Sequence, residues 1–334
     1  MTSRRDLLAS AAALGAACSA ESRESASAPG GELVHPQTLD LPSPITANED
    51  FYVVAVSRWK PDDAFLASYT LTLADADGGE VVLTLDEVRA IGGTPQERTL
   101  SCIGSSTVRA TGNAEWTAIS LRALLAAVGF APADDLGAIR ITAGDGYVTD
   151  LPRSDLDRGL ALAYEMNGEP LPAEHGAPLR ALVPGRYGMK NPKWITRIDF
   201  VPDIEPGFWE SRGWSQEAEY LVASWFYSPA SGAVVSLQTG AWITGIAFAG
   251  ERGIVRVEVS GDNGATWQDA EIVYPGGPGV WTTWKFHYLP RLAGDFDLRV
   301  RATDGEGTVQ RQVEDYDVDL DGLEAWDYLR ITVE

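Results

Sequence analysis

The amino-acid sequence changes character after Trp225, and this change constrains the fold more than any other feature. Before this point alternating apolar segments are mixed with helix signals, whereas afterwards short alternating segments separated by turns continue to the C-terminus. One hairpin signal there is strong, because Gly261-Asp262-Asn263-Gly264 follows VRVEVS, and Asn and Gly tolerate the positive φ of tight turns. We therefore predict an α+β region followed by an all-β domain with the strand spacing of an immunoglobulin-like β-sandwich.

Three patterns predict local structure in the first region. Tyr69–Leu73 and Val81–Leu85 flank an Asp-Ala-Asp-Gly-Gly turn and predict a β-hairpin. Leu121–Val128 predicts a helix with a serine N-cap before it and a glycine stop after it. Phe51–Ser57 is a short apolar run of the strand type.

The N-terminus predicts export. MTSRRDLLASAAALGAACSA joins a basic region to a weakly apolar run that is too short to span a membrane. Its Arg4-Arg5 pair fits the twin-arginine pattern, whose pathway carries folded proteins; the alternative is an ordinary secretory signal with a chance arginine pair. We expect residues 1–31 to be a signal and disordered tether, and the product to be periplasmic or extracytoplasmic. Cys18 closes an approximate lipoprotein processing site, so a released and a membrane-anchored product both remain open.

Charge and cysteine content exclude several function classes. A net charge of -22 argues against a nucleic-acid partner, because phosphate backbones are held by clustered Lys and Arg. Once Cys18 is removed or acylated, Cys102 is the only thiol. An intramolecular disulfide, an iron-sulfur cluster, a cysteine-rich zinc site and c-type haem attachment are therefore not expected in this chain.

The segment His175–Arg197 reverses the charge of the chain, since it contains five Lys and Arg residues and no Asp or Glu. One interpretation is a surface that receives an anion such as phosphate. The other is a basic edge strand and loop that pairs with acidic neighbours elsewhere in the fold. The cations are Arg180, Arg186, Lys190, Lys193 and Arg197.

Three segments together resemble the sulfite oxidase family of molybdopterin-dependent oxidoreductases: RTLSCIGSSTVRATGNAEWTAISL, LALAYEMNGEPLPAEHGAPLRALVPGRYGMKNPKWITRI and GFWESRGWS. They keep, in order, a Cys-x-Gly turn, a Trp before an amphipathic helix, His-Gly-x-Pro-x-Arg and Lys-Trp. The resemblance runs from about Ile45 to the C-terminus. It implies a molybdopterin-binding oxidoreductase domain over residues 32–222 and an immunoglobulin-like, dimerisation-type domain over residues 223–334.

The resemblance also implies a cofactor, molybdenum bound to molybdopterin. Cys102 would ligate the metal through its thiolate, since soft sulfur suits molybdenum, and Arg180 would contact the phosphate of the pterin. For Asp145 the alternative is a turn carboxylate before Gly146. The cofactor-binding residues that the resemblance implies are Tyr52, Val53, Asp145, His175, Arg180, Asn191, Pro192 and Lys193.

The chain departs from animal sulfite oxidases where that family binds its substrate. Val54, Ala55 and Val56 stand where an Arg and then Asn-His are found in the family, and two further family arginines fall near Thr107 and Asp319. A doubly charged oxyanion needs compensating cations in a partly desolvated pocket.

Other arginines could compensate from new positions, and Trp214 stands where the family has a tyrosine. Otherwise a less charged substrate, such as an S-oxide or N-oxide, fits better. The compensating candidates are Arg109, Arg186 and Arg212, and the expected catalytic residues are Cys102, Arg109, Arg212 and Trp214.

The predicted function is that of an exported molybdenum oxidoreductase that transfers an oxygen atom with sulfite or a related small sulfur compound. Two alternatives remain: a reductase of S-oxides or N-oxides on the same cofactor, and a non-catalytic binding protein on this scaffold. No haem-binding domain is visible in the sequence, so we expect a separate electron-transfer partner such as a cytochrome. A homodimer is implied by the resemblance alone.

Overall fold

The computed structural model describes residues 33–35, 37–105, 108–312, 320–322 and 325–334, without the side chain of Arg109. These residues form two compact units, the first from residues 47–103 and 114–219 and the second from residues 33–46, 104–113 and 220–334. The predicted export signal, its tether and Cys18 lie outside the described residues, as do Thr107 and Asp319. No helix in the described part is long and apolar enough to cross a membrane.

The first unit contains a five-stranded sheet. Its strands are β1 (Thr70–Asp75), β2 (Glu80–Thr84), β5 (Ala138–Ala143), β6 (Val148–Pro152) and β10 (Ile195–Val201). They lie in the order β2-β1-β10-β5-β6, and β1 and β10 are parallel. The strand that ends the basic segment, β10, is therefore central in its sheet rather than at an edge.

A second sheet and four short helices complete this region. The strands β3 (Thr94–Ser101), β4 (Thr111–Ser120), β7 (Ala161–Met166) and β8 (Glu169–Pro170) lie in that order, and β9 (Arg180–Leu182) pairs with β7. The helices are α1 (Asp63–Ala67), α2 (Leu85–Ile91), α3 (Leu121–Val128) and α4 (Asp155–Arg158).

Local sequence signals account for several of these elements. Helix α3 begins after Ser120, whose side chain accepts a hydrogen bond from the amide of Ala123, and it ends at Gly129 with φ 66°. The predicted hairpin is formed by β1 and β2. The predicted strand over Phe51–Ser57 was wrong, because this run is irregular and the side chains of its Val54–Val56 stretch line a pocket.

The core of the first unit fixes the strand ends that carry the site. Leu71, Leu73 and Ile139 are fully buried and pack with Leu124 of α3 and Phe200 of β10. Their burial supplies the main stabilising free energy of this unit. The packed core thereby fixes the positions of the loops at the ends of β3, β5 and β9.

The second unit consists of two sheets around one core. One sheet has the order β11 (Ala223–Ser228), β13 (Ala241–Phe248), β17 (Thr282–Tyr288) and β16 (Glu271–Tyr274). The other has the order β12 (Ala233–Val235), β19 (Asp327–Val333), β18 (Gly294–Asp304), β14 (Ile254–Ser260) and β15 (Gln268–Asp269). The core joins Ile243 and Trp284 of the first sheet with Val257, Leu298 and Ile331 of the second.

The predicted turn after β14 is confirmed. Asn263 and Gly264 have φ values of 57° and 89°, and the chain then returns as β15 antiparallel to β14. The described residues as a whole form a mostly β fold with a few short helices.

Candidate functional site

A pocket that is partly open to solvent lies within the first unit. Most of the site residues expected from the sequence line it, although they come from positions up to 162 residues apart (52 to 214). The expected residues that line the pocket are Tyr52, Cys102, Asp145, His175, Arg180, Asn191, Pro192, Lys193 and Trp214.

Two expected residues with described side chains, Val53 and Arg212, do not line the pocket. Val53 does not line it, although Tyr52 and Val54 on either side do. Arg212 is exposed and does not line it either, because its guanidinium lies 3.7 Å from the centre of the Phe208 ring and donates to the carbonyl of that residue. The side chain of Arg109 lies outside the described part of the chain.

Cys102 offers the pocket a thiol. It directly follows β3, is 8% exposed and forms no disulfide in the described structure. The described residues contain no group of three His, Cys, Asp or Glu side chains that could hold a metal ion.

Arg180 and Lys193 bring positive charge to the same pocket. The two residues approach closely at Gly176, where a Cβ atom would lie 2.9 Å from the Cβ of Arg180 and 3.2 Å from that of Lys193. Gly176 also has φ 121°, a conformation that favours glycine. The glycine of the His-Gly-x-Pro-x-Arg motif thus lets the two cation-bearing segments come together.

Both cations are held in place by backbone oxygens and aromatic rings. Arg180 donates to the carbonyl of His175 at 2.9 Å, and its guanidinium lies 4.9 Å from the ring centre of Trp116. Lys193 donates to the carbonyl of Glu174 at 2.8 Å, and its ammonium lies 4.4 Å from the ring centre of Trp194. These contacts orient the side chains of Arg180 and Lys193 and leave their positive charges without a carboxylate partner in these contacts.

The electrostatic environment of Lys193 favours an incoming anion. Burial lowers the pKa of Lys193 to about 7, and repulsion by Arg180 and Lys60 adds to this effect, while Asp145 and Glu174 oppose it. An anion placed between the cations would relieve the repulsion and restore the charged form. The pocket therefore fits a phosphate group.

His175 lines the pocket as a neutral imidazole. Burial lowers its pKa to about 4, and the nearby charge of Arg180 lowers it further, against the opposing hydrogen bond to Asn48. Its Nε2 lies 2.7 Å from the carbonyl oxygen of Asn48, which can only accept, so Nε2 carries the proton. The Nδ1 atom is left as a hydrogen-bond acceptor.

Asp145 and Asn191 combine structural roles with a place in the pocket. The Asp145 carboxylate accepts hydrogen bonds from the amide of Tyr147 at 3.0 Å and the hydroxyl of Ser57 at 3.4 Å, so it closes a turn and also faces the pocket. The Asn191 side chain accepts from Val183 and donates to two carbonyls of its own loop. A ligand would therefore meet Asn191 chiefly through its main chain.

The other cations of the basic segment are ion-paired outside the pocket lining. Arg186 is 1% exposed and binds Asp155, which rules it out as a substrate anchor. Lys190 is fully buried and binds Glu210, and Arg197 pairs with Asp199. Two of the five cations thus line the pocket, and the other three pair with acidic residues elsewhere in the fold, as the second interpretation of the segment expected.

The remaining wall is largely apolar, and most of it was not expected from the sequence. Gly188 is needed for close packing, since a Cβ there would lie 2.9 Å from the Tyr52 hydroxyl. Apart from the Val54–Val56 stretch noted above, no local pattern distinguished these residues from ordinary core residues, because they come from several separate segments. The additional lining residues are Phe51, Val54, Ala55, Val56, Ile103, Tyr147, Glu174, Gly188, Met189, Trp194 and Trp209.

Two protein-family models match the chain. Residues 58–209 match the oxidoreductase molybdopterin binding domain, and residues 215–334 match the Mo-co oxidoreductase dimerisation domain. The first match contains Cys102, Arg180 and Lys193 and most of the other residues that line the pocket.

Individual relatives agree with these matches. Mitochondrial sulfite oxidase of Mus musculus is 28% identical over 290 residues, which cover 73% of this chain and 53% of the relative. The uncharacterized oxidoreductase YuiH of Bacillus subtilis is 40% identical over 87 residues, covering 26% of this chain and 44% of the relative. The chain spans about half the length of the curated relatives it matches.

One solved structure shares the fold. The sulfane dehydrogenase SoxCD of Paracoccus pantotrophus superposes with a TM-score of 0.71 at 21% identity, covering 81% of this chain and 76% of the other.

Proposed function

Because the chain belongs to the sulfite oxidase family of molybdopterin-dependent oxidoreductases, we propose that its pocket holds molybdopterin and transfers an oxygen atom with a small sulfur compound. One observation carries the proposal: the thiol of Cys102 and the cations Arg180 and Lys193 line the same pocket. The thiolate would ligate molybdenum, and the cations would hold the phosphate of the cofactor.

The described residues offer the cofactor complementary groups. Arg180 presents a planar fork of donors suited to phosphate, and Lys193 adds a point charge beside it. The Nδ1 of His175 accepts a hydrogen bond from a polar pterin edge, while main-chain groups near Asn191 and Pro192 border the same site. When bound, the cofactor supplies two-electron oxygen-atom transfer between substrate and water.

Sulfite or a related small sulfur compound is the leading substrate class. Family membership supports it. Trp214 lies on the pocket wall, but it replaces the tyrosine that the family resemblance implies there and does not favour sulfite over other substrates. Arg109 follows the Cys102 loop in the sequence and is the remaining candidate for an added cation at the reacting end.

A second candidate is the reduction of S-oxides or N-oxides. The specific observation in its favour is that Val54, Ala55 and Val56 line the pocket with Trp209 and Trp214. An apolar wall binds a neutral oxide at little cost, whereas each charged hydrogen bond missing from a sulfite site costs roughly 1.5 to 3 kcal/mol.

Metal analysis and a redox titration test these proposals. Protein purified from a host that makes molybdopterin should contain close to one molybdenum per chain; protein without the metal in such a host would support a non-catalytic binding protein instead. Following the metal oxidation state during addition of sulfite and then of methionine sulfoxide distinguishes the two substrate classes. Reduction of the metal by sulfite supports the first class, and oxidation of the reduced metal by the sulfoxide supports the second.

The remaining expectations stand as proposals about the whole protein. We propose twin-arginine export to the periplasm, with Cys18 as a possible lipid attachment point, and a separate electron-transfer partner such as a cytochrome. The second unit is proposed to be an immunoglobulin-like sandwich that forms a homodimer; its match to a dimerisation domain supports this. The proposed domains are residues 32–222 and 223–334. Sedimentation analysis of the mature protein tests the dimer, and the N-terminus of exported protein tests the processing site.

A further inference from the structure

Two separate chain segments that line the pocket are connected to each other by two residues that do not line it. Met189 and Asn191 line the pocket on either side of Lys190, and Trp209 lines it directly before Glu210. Lys190 and Glu210 do not line the pocket. They are 0% and 8% exposed.

Lys190 and Glu210 form a buried ion pair. The ammonium of Lys190 donates to Oε1 of Glu210, to the Thr149 hydroxyl at 3.1 Å and to the carbonyl of Asp150 at 3.0 Å. The Thr149 hydroxyl in turn donates to Oε1 of Glu210 at 2.8 Å. Three chain segments, those of β6, Lys190 and Glu210, therefore meet at one carboxylate oxygen.

The backbone around this pair is closely packed. The amide of Phe208 donates to the carbonyl of Val148 at 2.9 Å. A Cβ atom at Gly207 would lie 2.3 Å from the same carbonyl oxygen and 2.8 Å from the Cα of Thr149, so only glycine allows this approach. The segment that carries Trp209 is thus pressed against β6.

Met189 is held at the start of the same strand. Tyr147, which precedes β6 and lines the pocket, donates its hydroxyl to the carbonyl of Met189 at 2.6 Å. A change in the position of Lys190 would therefore move Met189 relative to both Tyr147 and Trp209.

Stability alone is a weak reason for this pair. Two buried charges lose their hydration, and a well-packed apolar pair of similar volume often serves stability equally well. In addition, Oε2 of Glu210 is buried and has no hydrogen-bond partner among the described residues, which is unfavourable. What the pair supplies is a fixed geometry between two walls.

We propose that Lys190 and Glu210 are positioning residues that set the width of the pocket between Met189 and Trp209, and thereby the size of the substrate that the pocket accepts. The effect on substrate size rests on the proposed function, whereas the effect on the positions of Met189 and Trp209 does not.

The test replaces the pair by apolar residues of similar size, in Lys190→Met/Glu210→Leu. The matched control is Arg186→Met/Asp155→Leu, which removes another buried pair of the first unit whose side chains do not line the pocket. With 5-fluorotryptophan incorporated, the ¹⁹F resonance of Trp209, assigned with Trp209→Phe, should shift in the first variant and stay in place in the control. An unchanged resonance in the first variant overturns the proposal.

Turnover adds a second readout. With a reduced viologen as electron donor, the KM ratio of methyl phenyl sulfoxide to dimethyl sulfoxide should change by about tenfold in the pair variant, and kcat should change less than KM. An unchanged ratio at wild-type molybdenum content contradicts the proposed role in substrate selection. Absence of any sulfoxide turnover in the wild type counts against the second candidate function and not against the positioning role, because the resonance test needs no activity.

A milder variant covers the case in which the double variant does not fold. Glu210→Asp keeps the charge and shortens the side chain by one methylene, so Trp209 should shift toward β6 and its resonance should move in the same experiment. A folded Glu210→Asp protein with wild-type resonances and a wild-type KM ratio also overturns the proposal.

Discussion

Arg186 binds Asp155 through two parallel hydrogen bonds, from Nε to Oδ2 at 2.6 Å and from Nη2 to Oδ1 at 3.0 Å, in a site where neither side chain reaches solvent. The pair fixes a cation of the basic segment to helix α4. Arg186, a candidate substrate anchor by sequence, therefore has a structural role.

Loss of this pair should therefore destabilise the fold. Arg186→Met leaves the Asp155 carboxylate buried with only a 3.6 Å contact to Arg158, and we expect the free energy of unfolding to fall by about 3 to 5 kcal/mol. Arg197→Met removes an ion pair that is 40% exposed on the arginine side, and should cost less than about 1 kcal/mol. Urea denaturation of both variants checks the contrast; equal losses would contradict it.

Cys102 should control retention of the metal. Cys102→Ser keeps the size of the side chain but replaces a soft sulfur ligand by a hard oxygen, so molybdenum content and turnover should each fall, turnover by on the order of a hundredfold or more. Metal analysis beside steady-state kinetics measures both. Cys18→Ser is the matched control and should keep both values; full turnover in Cys102→Ser would exclude the ligand role.

Lys193 should take up a proton when the pocket binds an anion. Its pKa of about 7 in the free protein should rise on addition of inorganic phosphate, because the anion offsets the repulsion from Arg180. At pH 8.5 the free amine is mostly neutral, so binding should be accompanied by proton uptake and weaken as the pH rises. The chain has four lysines, so a ¹³Cε titration resolves each one, and the resonance of Lys285 serves as the control. An unchanged Lys193 titration would place the anion elsewhere.

His175 should make the cofactor-free protein sensitive to acid. Its pKa is about 4 when folded and 6.5 when exposed, so between these values the unfolded chain binds more protons than the folded one. Stability is then highest above pH 6.5 and falls with decreasing pH, by at most about 3 kcal/mol near pH 4. Chemical denaturation from pH 7 to 4 should show a smaller loss for His175→Gln than for the wild type. His35→Gln changes an exposed histidine and should behave as the wild type does.

Charge on the pocket wall should select between the substrate classes. Val54→Arg adds a cation to a lining position, and the KM for sulfite should fall by roughly 10- to 100-fold, which corresponds to one charged hydrogen bond. Val82→Arg adds the same charge at an exposed strand position and controls for long-range attraction. Equal effects of the two substitutions would show that the pocket wall does not discriminate charge.

Much of the fold could be predicted from neighbours in the sequence. Helix α3 is marked by the Ser120 cap and the Gly129 stop, and the turn at Asn263-Gly264 requires residues that tolerate positive φ. The apolar run Val54–Val56 misled the prediction, because a strand and a pocket wall share the same composition. Alternation alone does not show which partner covers a segment.

The sequence by itself determined the chemical groups of the site. It contains the thiol of Cys102 and a segment rich in cations that includes Gly176. Only the tertiary structure decided which cations remain available to an anion. Arg186 and Lys190 find carboxylates 31 and 20 residues away, whereas Arg180 and Lys193 point into the pocket. The physical reason is that burial and ion pairing depend on distances through space, and residues far apart in sequence set those distances only when the core has formed.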